Sequence, residues 1–92
     1  MSKPGVVSVM MPAYNAEAYI GPAIASLLAQ RYPHWELIVV NDGSTDGTAA
    51  VVERFRDPRI RLIQQANGGE AAARNGALRQ IQGEFVAFLD AD

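Results

Sequence analysis

One pattern constrains this 92-residue chain more than any other: short β-branched runs alternate with stretches whose apolar residues recur at helical spacing. The apolar runs are Val6 to Met11, Glu36 to Val40, Ile60 to Ile63 and Phe85 to Leu89. Between the first two, Ile20, Ile24, Leu27 and Leu28 share one helical face, with Pro22 placed near the first turn, where a missing N–H costs little. The second helical stretch opens at Ser44 or Thr45, both good caps, carries Val51, Val52 and Phe55, and stops at Asp57-Pro58. The third follows Gly68-Gly69, runs through Ala71 to Ala73, Leu78 and Ile81, and ends at Gly83. The order is β-α-β-α-β-α-β. Short connections and right-handed crossovers turn that order into an α/β, Rossmann-like three-layer half-domain with a parallel sheet.

Strand polarity then orders the sheet. The third strand alternates Arg59 and Arg61 with Ile60 and Leu62, as an edge strand does. The fourth is continuously apolar, which predicts a central position covered on both faces. Sheet order 3-2-1-4 accommodates both, and leaves the outer edge of the fourth strand without a partner in these 92 residues.

Composition removes several classes of function. A net charge of −2 gives no electrostatic basis for binding nucleic acid or an anionic membrane surface. The absence of cysteine excludes disulfides and thiolate metal sites. Met1 to Gly5 has no apolar signal-peptide core, and no apolar run approaches the ~20 residues that span a bilayer. The expectation is a soluble, cytoplasmic domain whose parent can still be attached to the membrane on that side.

In open parallel sheets ligands bind beyond the carboxyl ends of the strands, where the strand order reverses. The polar residues collect at those ends: Pro12-Ala13-Tyr14-Asn15, then Asn41 to Gly47, then Asn67-Gly68-Gly69-Glu70 with Arg74 one turn on, then Asp90-Ala91-Asp92. Four loops, distant in sequence, thus supply one rim. The residues on it carry a resemblance. Pro12-x-Tyr14-Asn15, Val40-Asn41-Asp42-Gly43-Ser44-Thr45-Asp46, Gly69-x-x-x-Ala73-Arg74-Asn75-x-Ala77 and Asp90-x-Asp92 occur in the order seen in the N-terminal half of family 2 glycosyltransferases of the GT-A fold, which the chain resembles from Val7 onward. Asn41 departs from the pattern, since the family often has a second aspartate there.

The resemblance implies an inverting, metal-dependent transfer of a sugar from a nucleoside diphosphate donor to an acceptor hydroxyl, with a UDP-sugar favoured. It implies that Tyr14 stacks on the base, Asp42 accepts from a ring N–H, Arg74 reaches a base carbonyl or the diphosphate, and the backbone of Pro12 and Ala13 lines the base pocket beside Asn15. It further implies that Asp92 touches Mn2+ or Mg2+ and that Asp90 holds the ribose or a metal-bound water. Residues 1–92 are then the nucleotide-sugar-binding part of such a domain, truncated after the acidic pair. The acceptor-binding half and the general base are expected beyond Asp92, so the fragment alone is expected to be inactive and to self-associate through the edge of its fourth strand.

Rival readings fit less well. Asp42, Ser44, Asp46, Gly47 and Glu53 match the spacing of a calcium loop over residues 42–53, but a β-branched run precedes them where that motif needs a helix. A phosphatase loop needs two carboxylates one residue apart, whereas three residues separate Asp42 from Asp46. No Gly-x-Gly-x-x-Gly follows the first strand, against a dinucleotide-binding domain. A non-catalytic binding or assembly module of the same fold is the alternative from another class. Taken singly, Tyr14 reads as a packed loop aromatic, Arg74 as a solvated helix residue paired with Glu70, and Asp46 as a charge complementing a helix start.

Overall fold

The computed structural model describes residues 3–89. Its elements run β1 (Lys3–Ala13), α1 (Glu17–Leu28), β2 (Trp35–Asp42), α2 (Thr48–Glu53), β3 (Ile60–Gln65), α3 (Gly69–Leu78) and β4 (Gly83–Phe88). The four strands form one parallel sheet in the order β3-β2-β1-β4, as strand polarity predicts.

Side chains of a strand alternate between faces, and parallel register keeps paired residues on the same face. Val9, Met11 and Ala13 of β1 and Leu37 and Val39 of β2 therefore point one way and bury against Ile20, Ile24 and Leu27 of α1 and Val52 of α2. Met10, Ile38 and Val40 point the other way and bury against Ala73 and Ala77 of α3. The result is three layers: two helices, the sheet, and one helix. All eight residues of β2 are buried, because it lies inside the sheet with helices on both sides.

Four local expectations need correction. β4 is apolar but not covered: Phe85, Val86 and Phe88 are 56%, 47% and 57% exposed. Within the described residues it is the outer strand, paired only with β1, and the helices pack over β1 and β2 instead. Pro22 sits inside α1 and not in its first turn, so the amide bond to the Ala18 carbonyl is missing. Ala18 is exposed, and water can replace that donor. α2 begins at Thr48, later than Ser44 or Thr45, with Gly47 at its N-cap position. α3 ends at Leu78, and Gly83 opens β4. Gly83 has a packing role: a Cβ there would lie 2.6 Å from both Ser8 Oγ and the Val6 carbonyl.

β1 continues through Pro12, although proline cannot donate to a ladder. Met10 accepts from Leu89 N–H at 3.0 Å, so by alternation the Pro12 nitrogen faces the β4 side, beyond the last described β1–β4 pair, Met10 with Phe88.

Candidate functional site

The carboxyl ends of β1 and β2 lie side by side, with Ala13 opposite Asn41, and the end of β3 pairs Gln65 with Asp42. Asp42 is the only carboxylate carried by these three strand ends. It is buried, 4% exposed, and faces the α3 side of the sheet. Its Oδ1 accepts from Gln65 Nε2 at 3.0 Å and from Gly68 N–H at 2.9 Å. Its Oδ2 accepts from Gly69 N–H at 2.9 Å. Gly68 and Gly69 open α3, so Asp42 caps that helix from another strand, satisfying donors that have no partner within the helix. Gly69 has φ +86°, a backbone conformation that suits glycine, and Gly43 beside Asp42 has φ +71°. The Gln65 hydrogen bond first, then that of Gly68, holds the Asp42 carboxyl below its ordinary range against the opposing effect of burial, so it is ionised at neutral pH.

The loop after β1 is fixed by the loop after β2. Asn15 has φ +48°, a left-handed conformation that Asn tolerates better than most residues. Its N–H donates to Ser44 Oγ at 2.9 Å, and its Oδ1 accepts from Thr45 N–H at 2.8 Å. Asn15 thus latches the two loops together. Tyr14, next to it, is 53% exposed at the rim. Ala13 is buried in the α1–α2 core, leaving only its backbone for the rim, and Pro12 is half-buried. Arg74 on α3 lies with its guanidinium carbon 5.6 Å from the Phe88 ring centroid, beside the end of β4. Asp90 and Asp92, the expected metal corner, lie outside the described residues.

Asp46 acts as the helix-start charge that its position suggests. It accepts from Thr48 N–H at 3.0 Å and from the Thr48 hydroxyl at the start of α2, and from Glu17 N–H at 3.2 Å at the start of α1. Glu17 returns the exchange by accepting from Gly47 N–H at 2.9 Å. The strand before this loop and the separate partners of Asp42 and Asp46 do not build the helix-loop-helix cradle of a calcium loop.

The adjacent ends of β1 and β2 therefore set Pro12, Ala13, Tyr14 and Asn15 beside the end that carries Asp42, while Arg74 lies on α3 next to Phe88. The residue not anticipated from sequence is Gln65; the sequence puts Ser44 and Thr45 on the rim, but not as the partners that latch Asn15. Gln65 was identifiable only as the last residue of β3, by analogy with the strand ends that carry Tyr14 and Asp42.

Comparison with known proteins places this geometry. The family model described as Glycosyl transferase family 2 matches residues 8–92. The chain is 48% identical over 88 residues to UDP-Glc:alpha-D-GlcNAc-diphosphoundecaprenol beta-1,3-glucosyltransferase WfgD of Escherichia coli, covering 95% of this chain and 35% of that protein. The crystal structure of S. aureus TarS 1-349 in complex with UDP-GlcNAc superposes with a TM-score of 0.89 at 43% identity, covering 94% of this chain and 26% of that one. Mannosyltransferase PcManGT from Pyrobaculum calidifontis, in complex with GDP-Man and Mn2+, gives a TM-score of 0.87 at 36% identity, covering 94% and 27%. The chain spans about a third of the length of two curated relatives to which it is 48% identical.

Proposed function

We propose, from the premise that this chain belongs to glycosyl transferase family 2, that residues 1–92 form the nucleotide-binding part of an inverting enzyme that moves a sugar from a nucleoside diphosphate to an acceptor hydroxyl. The observation that carries this reading is the Asp42 carboxylate: ionised, buried at the rim, and held by the neutral donors Gln65, Gly68 and Gly69. Neutral donors orient a carboxylate without cancelling its charge, so Asp42 retains the capacity to accept from a base N–H. Exposed Tyr14 supplies a face for the base to stack on, and Asn15 holds that loop in place. The backbone of Pro12 and Ala13 closes the pocket's edge. Arg74, a fixed fork of donors, takes a base carbonyl or the diphosphate.

Asp90 and Asp92 follow directly on Leu89, whose N–H pairs with β1 at Met10. That sequence position favours the same rim, and hard carboxylate oxygens fit Mn2+ or Mg2+. In this reading Asp92 touches the metal, and Asp90 holds the ribose or a metal-bound water. The cation stabilises the charge that develops on the leaving diphosphate. The related mannosyltransferase structure containing Mn2+ supports a divalent ion.

UDP is the favoured nucleotide, supported by the UDP-GlcNAc complex of TarS. The general base and the acceptor site belong to a longer parent acting on the cytoplasmic side, so the 92 residues bind nucleotide without transferring sugar. No helix among the described residues is long and apolar enough to cross a membrane. In isolation the chain self-associates through β4, whose exposed Phe85, Val86 and Phe88 support that expectation. A monomeric profile by light scattering at high concentration refutes the association. Calorimetric titration with UDP, GDP, TDP and CDP, each with and without Mn2+, tests the site. Metal-tightened binding of UDP, lost as a metal dependence in Asp92→Ala, is the expected result. Absence of binding by all four refutes the reading.

A further inference from the structure

Asp42 and Gln65 are register partners on neighbouring strands, with both side chains on the α3 face of the sheet. An ionised carboxylate has about two acceptor positions on each oxygen. On Asp42 Oδ1 both are taken, by Gln65 Nε2 at 3.0 Å and Gly68 N–H at 2.9 Å. On Oδ2 the described donors take one, Gly69 N–H at 2.9 Å. The carboxylate therefore presents one oxygen to a ligand.

The Gln65 amide has its own seat. A Cβ on Gly76 would lie 2.8 Å from Gln65 Oε1, so the amide fills the space that a side chain at this position of α3 would take. Glycine inside a helix is less stable than alanine, and here it makes room for the group that reaches Asp42. Gln65 also does what a lysine or arginine at its place could not: it turns the carboxylate without neutralising it.

We infer that Gln65 is the positioning residue that leaves Asp42 Oδ2 as the base-facing acceptor, and so makes the site select nucleobases that present a ring N–H. Uracil, thymine and guanine present one, whereas cytosine and adenine do not. The inference rests on the nucleotide-binding reading of the rim. Gln65 touches Asp42, not the ligand, and acts on selectivity through it.

The test compares binding of UDP and of UDP methylated at uracil N3 by calorimetry, in the wild-type chain, Gln65→Ala and Gly76→Ala. Wild type binds UDP about tenfold or more tightly than the methylated analogue, the factor expected of one hydrogen bond to a charged acceptor. Gln65→Ala brings the two affinities to within about threefold, a coupling that a double-mutant comparison isolates. Gly76→Ala, which favours the helix but displaces the Gln65 amide, narrows the ratio in the same direction and keeps the test alive if Gln65→Ala fails to fold by circular dichroism. Equal weakening toward both ligands, with the ratio kept in either folded variant, makes Gln65 merely structural and overturns the inference while leaving the site intact. Equal binding of both ligands by wild type removes Asp42 from base recognition and overturns the inference, whereas the nucleotide-binding reading falls only if neither ligand binds.

Discussion

Strand β2 carries two buried carboxylates on the same face, Glu36 at its start and Asp42 at its end, and they are held in opposite ways. Glu36 accepts from Ser8 Oγ at 2.5 Å, Gln82 N–H at 2.7 Å and Arg61 Nη2 at 2.9 Å. Ser8 accepts in turn from Gly83 N–H at 2.8 Å, and Arg61 also donates to the Gln80 carbonyl. This network ties β1, β2, β3 and the α3–β4 connection together, and Arg61 cancels its charge. Burial pushes the Glu36 carboxyl up, but Ser8, Gln82 and Arg61 together bring it below its ordinary value. The described donors that hold Asp42 and lower its carboxyl, Gln65, Gly68 and Gly69, are all neutral. Between the two lies an apolar band of Met10, Ile38 and Val40. One sheet face thus has an end whose carboxylate is paired with an arginine and fastens the fold, and an end whose carboxylate is held by neutral donors, the end proposed above to meet a nucleotide. A paired buried charge is a structural device, whereas an oriented but unneutralised one is a recognition device.

The sharpest way to break this contrast is at Glu36. Glu36→Ala leaves Ser8, the Gln82 amide and Arg61 without their common acceptor in a largely buried place. The expected loss is ~2–4 kcal/mol of unfolding free energy, seen as a lower urea midpoint. For a domain this small that is a large share of the total. The fraction that remains folded binds UDP with unchanged affinity, because the two networks lie at opposite ends of the sheet.

Asp42→Ala inverts the outcome. It uncaps α3, but Gly68 and Gly69 are exposed and water can reach their N–H groups, so stability falls by only about 1 kcal/mol. UDP affinity falls by about tenfold or more, for loss of a charged acceptor. Equal effects of Glu36→Ala and Asp42→Ala on both stability and binding would dissolve the distinction.

How much of this was legible in sequence follows from which interactions are local. The strand–helix alternation and the sheet order were, because apolar period and the Arg59–Arg61 alternation are local properties that the fold then uses. Tyr14, Asp42 and Arg74 could be placed near strand ends from sequence, Tyr14 just after β1, Asp42 closing β2 and Arg74 one turn into the helix after β3, but their binding roles rest on the resemblance. Exposure of β4 was not: a run such as Phe85 to Leu89 reports that it needs cover, not that these residues supply it. Gln65 and the Asn15 latch were hidden for a different reason. Their partners are 23 and 30 residues away, and only the parallel register of β2 with β3 and the meeting of two loops bring them together. Asp90 and Asp92, the clearest chemical signal in the sequence, lie outside the described residues and rest on resemblance and position alone.

Acid titration sharpens the comparison further. Both carboxyls are lowered, from ordinary values of 4.5 for Glu36 and 3.8 for Asp42. A lowered carboxyl adds stability that is fully present above its unfolded value and is lost as pH falls through its folded value. Stability by urea unfolding should therefore hold from neutral pH down to about 5 and decline below that. Asp46 and Asp57 are lowered too, by Thr48 and Arg59, and add to the same decline. Glu36→Gln should flatten the acid limb without moving the acid limit of UDP binding, which belongs to Asp42. A binding limit that moves with Glu36→Gln would couple the two ends.

The smallest expected effect concerns Asn15, where backbone and side-chain contributions can be separated. Asn15→Gly keeps a residue that accepts φ +48° and removes only the side-chain acceptor shared by Thr45 N–H and the Thr45 hydroxyl. Thr45 is exposed, so water replaces that acceptor at a cost of about 0.5 kcal/mol. Loosening the loop that presents Tyr14 should weaken UDP binding about two- to threefold, in proportion to that cost. Asn15→Ala loses the same acceptor and adds the penalty of a left-handed alanine, ~1 kcal/mol. The alanine variant should thus unfold at a lower temperature than the glycine variant. If Tyr14 presentation depends on the latch alone, the two variants bind UDP alike despite their different stabilities. If it depends on the strained backbone, affinity follows the backbone cost, and the alanine variant binds several-fold more weakly.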